Sequence, residues 1–278
     1  MNNIYDLHAH SSASDGTLSP TVLMQHAAQA GVSTIALTDH DTLFGLAEAR
    51  AAAKSYGLSF VPGVEISANW HDNTIHIVGL QVADDTPILQ QGLLALREKR
   101  DQRARTIGHL LGRDGPAGDW FALARAQSSG HVVGRAHFAR ALIAAGHASS
   151  MREVFKKYLV PGKPGYAPGV WAPLSEVVSW INAAGGQAVI AHPARYGLKR
   201  RRLRRLIGDF VSAGGTAIEV VAGSHCQDDY YVMAQLARDF NLLASVGSDF
   251  HDPKASWGGL GQLPSLPPGC TPVWHAWS

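Results

Sequence analysis

The chemistry-bearing residues begin at the first apolar run, Ile4-Tyr5-Asp6-Leu7-His8-Ala9-His10, and the loop after it, Ser11 to Gly16. Side chains alternate between the faces of a strand, so His8 and His10 project the same way and can grip one ion. Asp15 follows in the loop. The same residue types recur near the ends of later apolar runs. His40 lies in Thr38-Asp39-His40-Asp41, and Glu65 in Gly63-Val64-Glu65-Ile66-Ser67. His76 takes the strand face opposite Ile75 and Ile77, His192 precedes Pro193, and Asp249 and His251 close Ser248-Asp249-Phe250-His251. His8, His10, Asp15, His40, Glu65, His76, His192, Asp249 and His251 make six imidazoles and three carboxylates. A four-coordinate metal takes three or four ligands, so this set suits two or three ions, one carboxylate bridging. The only cysteines are Cys226 and Cys270, which leaves histidine and carboxylate as donors and excludes a disulfide framework.

Elements that could position these groups alternate between strand and helix. Ser19-Pro20 is an N-cap followed by proline at the first helical turn, and Gly31 ends that helix. Strands are predicted over 4–10, 32–37, 58–68, 74–80, 187–191, 216–221 and 242–246, and helices over 43–56, 174–184, 202–213 and 228–240. Between 85 and 159 the strand-like runs stop and helical spacing dominates, at 89–111, 120–126, 137–145 and 150–158. Residues 1–84 and 160–278 therefore read as one α/β barrel of parallel strands, and 85–159 as a helical insertion that covers its mouth and contributes substrate contacts. Residues 159–173 form a Gly/Pro-rich loop, and the Pro-rich stretch from 264 with Trp274 and Trp277 an irregular tail.

Bulk properties agree with one such unit. The chain has 278 residues, 46% hydrophobic and 17% charged, with a formal net charge of +2. That length buries a full core. No signal peptide or membrane span is expected, which predicts a cytoplasmic protein, and no obligate protein partner is indicated.

Asp-Leu-His8-Ala-His10-Ser, Thr38-Asp39-His40-Asp41, Gly-Val-Glu65, Ala191-His192-Pro193 and Ser248-Asp249-Phe250-His251, in that order, resemble the polymerase and histidinol phosphatase (PHP) family of metal-dependent phosphoesterases. The resemblance implies a distorted (β/α)7 TIM-like barrel holding up to three divalent ions, with Mn²⁺ favoured and Zn²⁺ or Fe²⁺ as alternatives. It further implies one ion at His8, His10, Glu65 and Asp249, a second at Glu65, His76 and His192, and a third at Asp15, His40 and His251.

Within the insertion, His131-Val-Val-Gly134-Arg135-Ala136-His137, Tyr158-Leu and Gly162-Lys163-Pro164-Gly165-Tyr166 are similar to the subgroup of stand-alone members acting on nucleotides and short RNA. That subgroup usually has proline where Ala136 stands. The resemblance implies removal of the 3′-phosphate from a nucleoside 3′,5′-bisphosphate such as pAp by a hydroxide shared between two metals. His8, His10, Glu65 and Asp249 then act catalytically through that hydroxide, with His225 a candidate proton donor. Arg135, Lys163, Arg195, Ser224 and His225 are the candidate substrate contacts, arginine because its planar fork suits phosphate. Asn69, Trp70 and Tyr166 could meet a base. Alternatives are a 5′-to-3′ exoribonuclease on short 5′-phosphorylated RNA, a histidinol-phosphate phosphatase, and a non-catalytic metal-holding nucleotide-binding module. The basic run 199–205 reads as a solvated helix face or, less simply, as an anion-steering surface.

Overall fold

The computed structural model describes residues 3–128, 132–254 and 259–277. His131 of the insertion motif lies outside the described residues. The elements in order are β1 (Tyr5–Asp6), α1 (Pro20–Gln29), β2 (Thr34–Leu37), α2 (Leu46–Ser55), β3 (Ser59–Trp70) and β4 (Asn73–Leu80). The insertion follows as α3 (Pro87–Asp114), α4 (Trp120–Ala126), α5 (Arg135–Ala144) and α6 (Met151–Val154), the last running into a π-helical turn over Phe155–Leu159. Then come β5 (Ala172–Pro173), α7 (Leu174–Ala183), β6 (Gln187–Ile190), α8 (Arg200–Ser212), β7 (Ala217–Ala222), α9 (Gln227–Asp239) and β8 (Leu243–Gly247).

Seven strands follow the order β1-β2-β3-β4-β6-β7-β8, and β5 pairs beside β3. The ends of this sheet meet: Leu7 N–H donates to Val246 O at 3.0 Å, and Ala9 bridges Phe250. The result is the seven-stranded α/β barrel expected from the sequence. One expectation fails. The sheet is not all parallel, because β4 runs antiparallel to both β3 and β6. Only His71 and Asp72 separate β3 from β4, and His71 is left-handed at φ 48°. A two-residue hairpin can join only antiparallel strands.

Core clusters separate inside from outside. Leu7, Ala36, Val61, Val78, Leu80, Val189, Ala191, Ala217 and Val273 pack as one buried group drawn from every side of the sheet, so they fill the barrel. The opposite faces of the strands meet helices: Ile35 and Leu37 pack under α1 and α2, while Ile66, Ile77, Ile190 and Ile218 join the residues of α7, α8 and α9. Helix α3 belongs to two cores. Leu89, Leu93 and Leu96 pack on the barrel, whereas Ala104, Ile107 and Leu111 pack with Trp120, Phe138 and Leu142 of the insertion. The capping reading of α1 holds, with Ser19 Oγ accepting from Val22 N–H. The tail returns beneath the barrel, where Trp274 stacks on Tyr5 at 4.0 Å between ring centroids and Pro272 bridges Ala244.

Candidate metal centre

Above the aliphatic filling, the same strand faces turn polar. On β3, Val61 is inside and Glu65, four residues on, faces the same way; on β4, His76 lies two residues before Val78. Because β4 is antiparallel, its early residues lie beside the late residues of β3: His76 is paired with Ser67. Thus His76 reaches the mouth from the beginning of its strand rather than from the end. His40 bridges Glu65 just past β2, and Asp249 N–H donates to His8 O just past β8. His192 and Asp249 both take left-handed backbone, at φ 30° and 54°. Gly247 makes room for His8, since a Cβ there would stand 2.2 Å from His8 Cβ.

Glu65 is the hub. Its Oε1 lies 2.9 Å from His76 Nδ1 and 2.9 Å from His192 Nε2. Its Oε2 lies 2.9 Å from His40 Nδ1, 3.3 Å from His10 Nε2 and 3.4 Å from His8 Nε2. Asp249 Oδ1 stands 3.6 Å from His8 Nε2 and 3.4 Å from His10 Nε2. Asp15 Oδ1 stands 3.2 Å from His251 Nε2, and Asp15 Oδ2 3.9 Å from His40 Nε2. Three ligand groups emerge with donor atoms within 4.8 Å of one another: His8, His10, Glu65 and Asp249; His40, Glu65 and His76; and His10, Asp15, His40 and His251. Eight of the nine residues singled out in the sequence fall in these groups, and His192, which lies in none of them, joins the cluster through Glu65 Oε1. The grouping is less partitioned than the resemblance implies, because His40 and His10 each stand between two sets.

These donors fit cations better than each other. Among the described residues, His10 Nδ1, His40 Nδ1, His192 Nδ1, Glu65 Oε2 and Asp15 Oδ1 are buried without a hydrogen-bond partner, although opposite charges stand close by. Buried polar atoms without partners are costly. Mixed imidazole and carboxylate donors suit Mn²⁺, Zn²⁺ or Fe²⁺. The electrostatics divide: His8 and His10 are pushed up toward the protonated form, which ligation must displace, and His40, His76 and His192 toward the neutral one. Burial opposes charge on Glu65 and Asp249, yet the surrounding imidazoles and hydrogen bonds hold both carboxyls well below their ordinary range. Burial likewise opposes charge on His10, but hydrogen bonds to Asp249 and Glu65 push it up to about 10. His40, His76 and His192 are pushed down, chiefly by burial, in the direction of the neutral form that ligation requires.

Sequence reasoning missed the supports behind these donors. Glu219 of β7 takes His8 Nδ1 at 2.7 Å and accepts from the backbone N–H of His192. A carboxylate in the middle of the apolar run Ala-Ile-Glu-Val-Val is the signal that could have found it, because such a charge needs a buried partner. Asp39 is bonded by Ser11 Oγ and Ser14 Oγ, both at 2.6 Å, and so anchors the loop that carries Asp15.

The predicted substrate contacts divide. Arg195 Nη1 reaches Asp249 Oδ2 at 2.6 Å and is half exposed. Arg135 is partly buried over Phe155; burial lowers its pKa, with the like charges of Arg100 and Arg195 adding to the effect. Ser224 Oγ is buried with no hydrogen-bond partner among the described residues. His225 is buried, its Nδ1 facing Val220 O and its Nε2 facing Ala194 N–H, so both ring nitrogens meet backbone. Lys163 sits in an exposed turn where Tyr166 N–H donates to its carbonyl. In the basic run, Arg204 pairs with Asp239, Arg205 lies 4.0 Å from Asp209, and Arg202 covers Trp70.

Comparison with known proteins follows the same lines. Residues 6–160 match the PHP domain family. A 3′,5′-nucleoside bisphosphate phosphatase of Chromobacterium violaceum is 48% identical over 99% of this chain and 96% of its own length. The 5′-3′ exoribonuclease Rnm of Escherichia coli is 43% identical over 99% of this chain and 94% of its own length. A solved amidohydrolase structure from Chromobacterium violaceum, with bound sulfate and no metal, superimposes with a TM-score of 0.94 at 47% identity, covering 98% of this chain and 95% of that one. With half the chain inside the family match and relatives aligned end to end, this chain belongs to the PHP domain family.

Proposed function

We propose that this chain is a metal-dependent phosphomonoesterase that removes the 3′-phosphate from nucleoside 3′,5′-bisphosphates, giving a 5′-nucleotide and phosphate. The observation that carries the reading is Glu65: one buried carboxylate whose two oxygens each face a different set of imidazoles, as a bridge between cations requires. His8, His10, Glu65 and Asp249 would hold one ion, Glu65, His76 and His192 a second, and Asp15, His40 and His251 a third, with Mn²⁺ the favoured species. When bound, such ions supply Lewis acidity to phosphoryl oxygens and an acidified water at neutral pH.

The remaining work falls to the chain. Glu219 fixes the tautomer and aim of His8, and through the His192 backbone it holds a second ligand loop. Arg195, at the edge of the cluster on Asp249, is assigned to orienting the reacting phosphate. Burial and the like charges of Arg100 and Arg195 lower the pKa of Arg135, so an anion bound to it relieves that cost. Arg135 is thus assigned to the second, non-reacting phosphate. His225, with both nitrogens on backbone, is assigned to holding the Ala194 turn rather than to proton transfer.

The kinship with exoribonucleases supports a second reading, cleavage of short 5′-phosphorylated RNA at the same centre. Turnover of pAp against that of a 5′-phosphorylated oligoribonucleotide, with manganese present, separates the two. Faster release of phosphate from pAp is expected. Negligible turnover of pAp beside rapid shortening of the oligonucleotide would replace the first reading with the second.

A further inference from the structure

Helix α3 of the insertion reaches the centre through a side chain that belongs to none of the ligand groups. Arg100 is 9% exposed. Its Nε donates to Asp41 Oδ2 at 2.7 Å and its Nη2 to Ser67 Oγ at 2.7 Å, with Nη2 also 2.6 Å from Asp41 Oδ2. Asp41 Oδ1 in turn accepts from Ser67 N–H at 2.7 Å, and Asp41 N–H donates to Glu65 O at 2.9 Å. One turn earlier on α3, Arg97 Nη1 donates to Asp41 O at 3.2 Å. Each tethered residue adjoins a metal-ligand position. Asp41 follows His40 directly, and Ser67 lies two residues beyond Glu65 and opposite His76 in the β3/β4 register.

We propose that Arg100 is a positioning residue of the metal centre: by clamping Asp41 to Ser67 it fixes the aim of His40 relative to Glu65 and His76. The inference rests on the metal-dependent function proposed for this cluster. Asp41 is fully buried and left-handed at φ 52°. A non-glycine residue in that region is strained and persists only where its surroundings hold it. Removing Arg100 leaves a buried carboxylate without its cation, and the loop then gains by turning Asp41 toward water. His40, one residue away, moves with it. Lysine cannot replace the clamp, because a single ammonium lacks the planar fork that reaches both Asp41 and Ser67. The insertion is thereby a structural part of the centre, not only its cover. Arg100 sits on α3 between the leucines that pack on the barrel and the residues that enter the insertion core.

The test is manganese binding by the full chain, as wild type, Arg100→Lys, Arg100→Met and Ser67→Ala. Ions bound per chain and affinity are measured by competition with a chelating dye, alongside the visible spectrum of each cobalt-loaded protein and its melting temperature without metal. Arg100→Lys and Arg100→Met are expected to weaken at least one ion by about tenfold or more, and Ser67→Ala by about threefold in the same direction. The cobalt spectrum changes with them, which a loss of stability alone would not produce. Arg100→Met is the variant most prone to misfold; Arg100→Lys and Ser67→Ala then decide the matter. Wild-type affinity and an unchanged cobalt spectrum in Arg100→Lys would overturn the proposal. Absence of metal from the wild type would overturn the metal-dependent function itself, and this inference with it.

Discussion

The two ends of the barrel are built from the same strands and do opposite things. At one end Val61, Val78 and Ala217 face inward among aliphatic neighbours, closed from below by Val273, Trp274 and Tyr5. A few residues along the same faces stand Glu65, His76 and Glu219, fully or largely buried but charged or ionisable. The period of two that builds the dry end also delivers side chains to the mouth, so one sheet geometry aims both. What differs is how burial is tolerated. The dry end is held by removal of apolar surface from water. The mouth concentrates acids and imidazoles whose desolvation is offset by each other, by Arg195 on Asp249 and, in the proposed metal-bound enzyme, by cations.

Substitutions at the two ends should therefore separate stability from chemistry. The largest effect is expected for Glu65→Gln, which removes the charge from the hub: kcat/KM should fall by about 10³-fold or more, with loss of bound metal and little loss of fold. Trp274→Ala at the dry end should do the reverse. Chemical denaturation should show about 3 kcal/mol less stability, while ions bound per folded chain stay at the wild-type value. A Trp274→Ala protein that keeps its stability but loses metal would break the comparison. Glu219→Gln sits behind the mouth and should weaken metal about 10- to 100-fold in a competition assay without abolishing binding.

Two further effects concern the insertion. Arg135→Ala should raise KM for a 3′,5′-bisphosphate by about tenfold, and much less for a nucleoside 3′-monophosphate, which lacks the second anion. The smallest is a pH effect. Burial lowers the pKa of His137 to about 4. The imidazole is thus neutral in the fold and, near 6.5, protonates first in the unfolded chain. The stability this contributes is full above about pH 6.5 and declines as pH falls toward 4, by under about 1 kcal/mol at pH 6. Protection factors in α5, corrected for the intrinsic exchange rate, should fall over that range, and His137→Phe should flatten the dependence.

Local signals are legible where sequence spacing alone decides structure. Ser19-Pro20 marks the start of α1, and 120–126 is a helix as the spacing predicts. The nine candidate donors stand out because histidine and acid recur in and beside the apolar runs, which a lone residue of either kind would not signal. Orientation is not legible: β4 looks like any half-buried strand, and only the two-residue connection through His71 and Asp72 reverses it. Spacing predicts one helix over 150–158, but α6 passes into a π turn at Phe155, which periodicity does not reveal. Arg100 is hidden among the arginines and lysines of α3, since its partners, Asp41 and Ser67, are 59 and 33 residues away. Long-range pairs of that kind leave no local pattern.

The central claim is that residues from the first strand to the last converge on shared cations around Glu65. Anomalous diffraction at the manganese edge from metal-soaked crystals tests it most directly. At least two peaks are expected within coordination distance of Glu65, one also touching His8, His10 and Asp249, the other His76 and His192. Crystals with full manganese access and no anomalous peak beside Glu65 would contradict it.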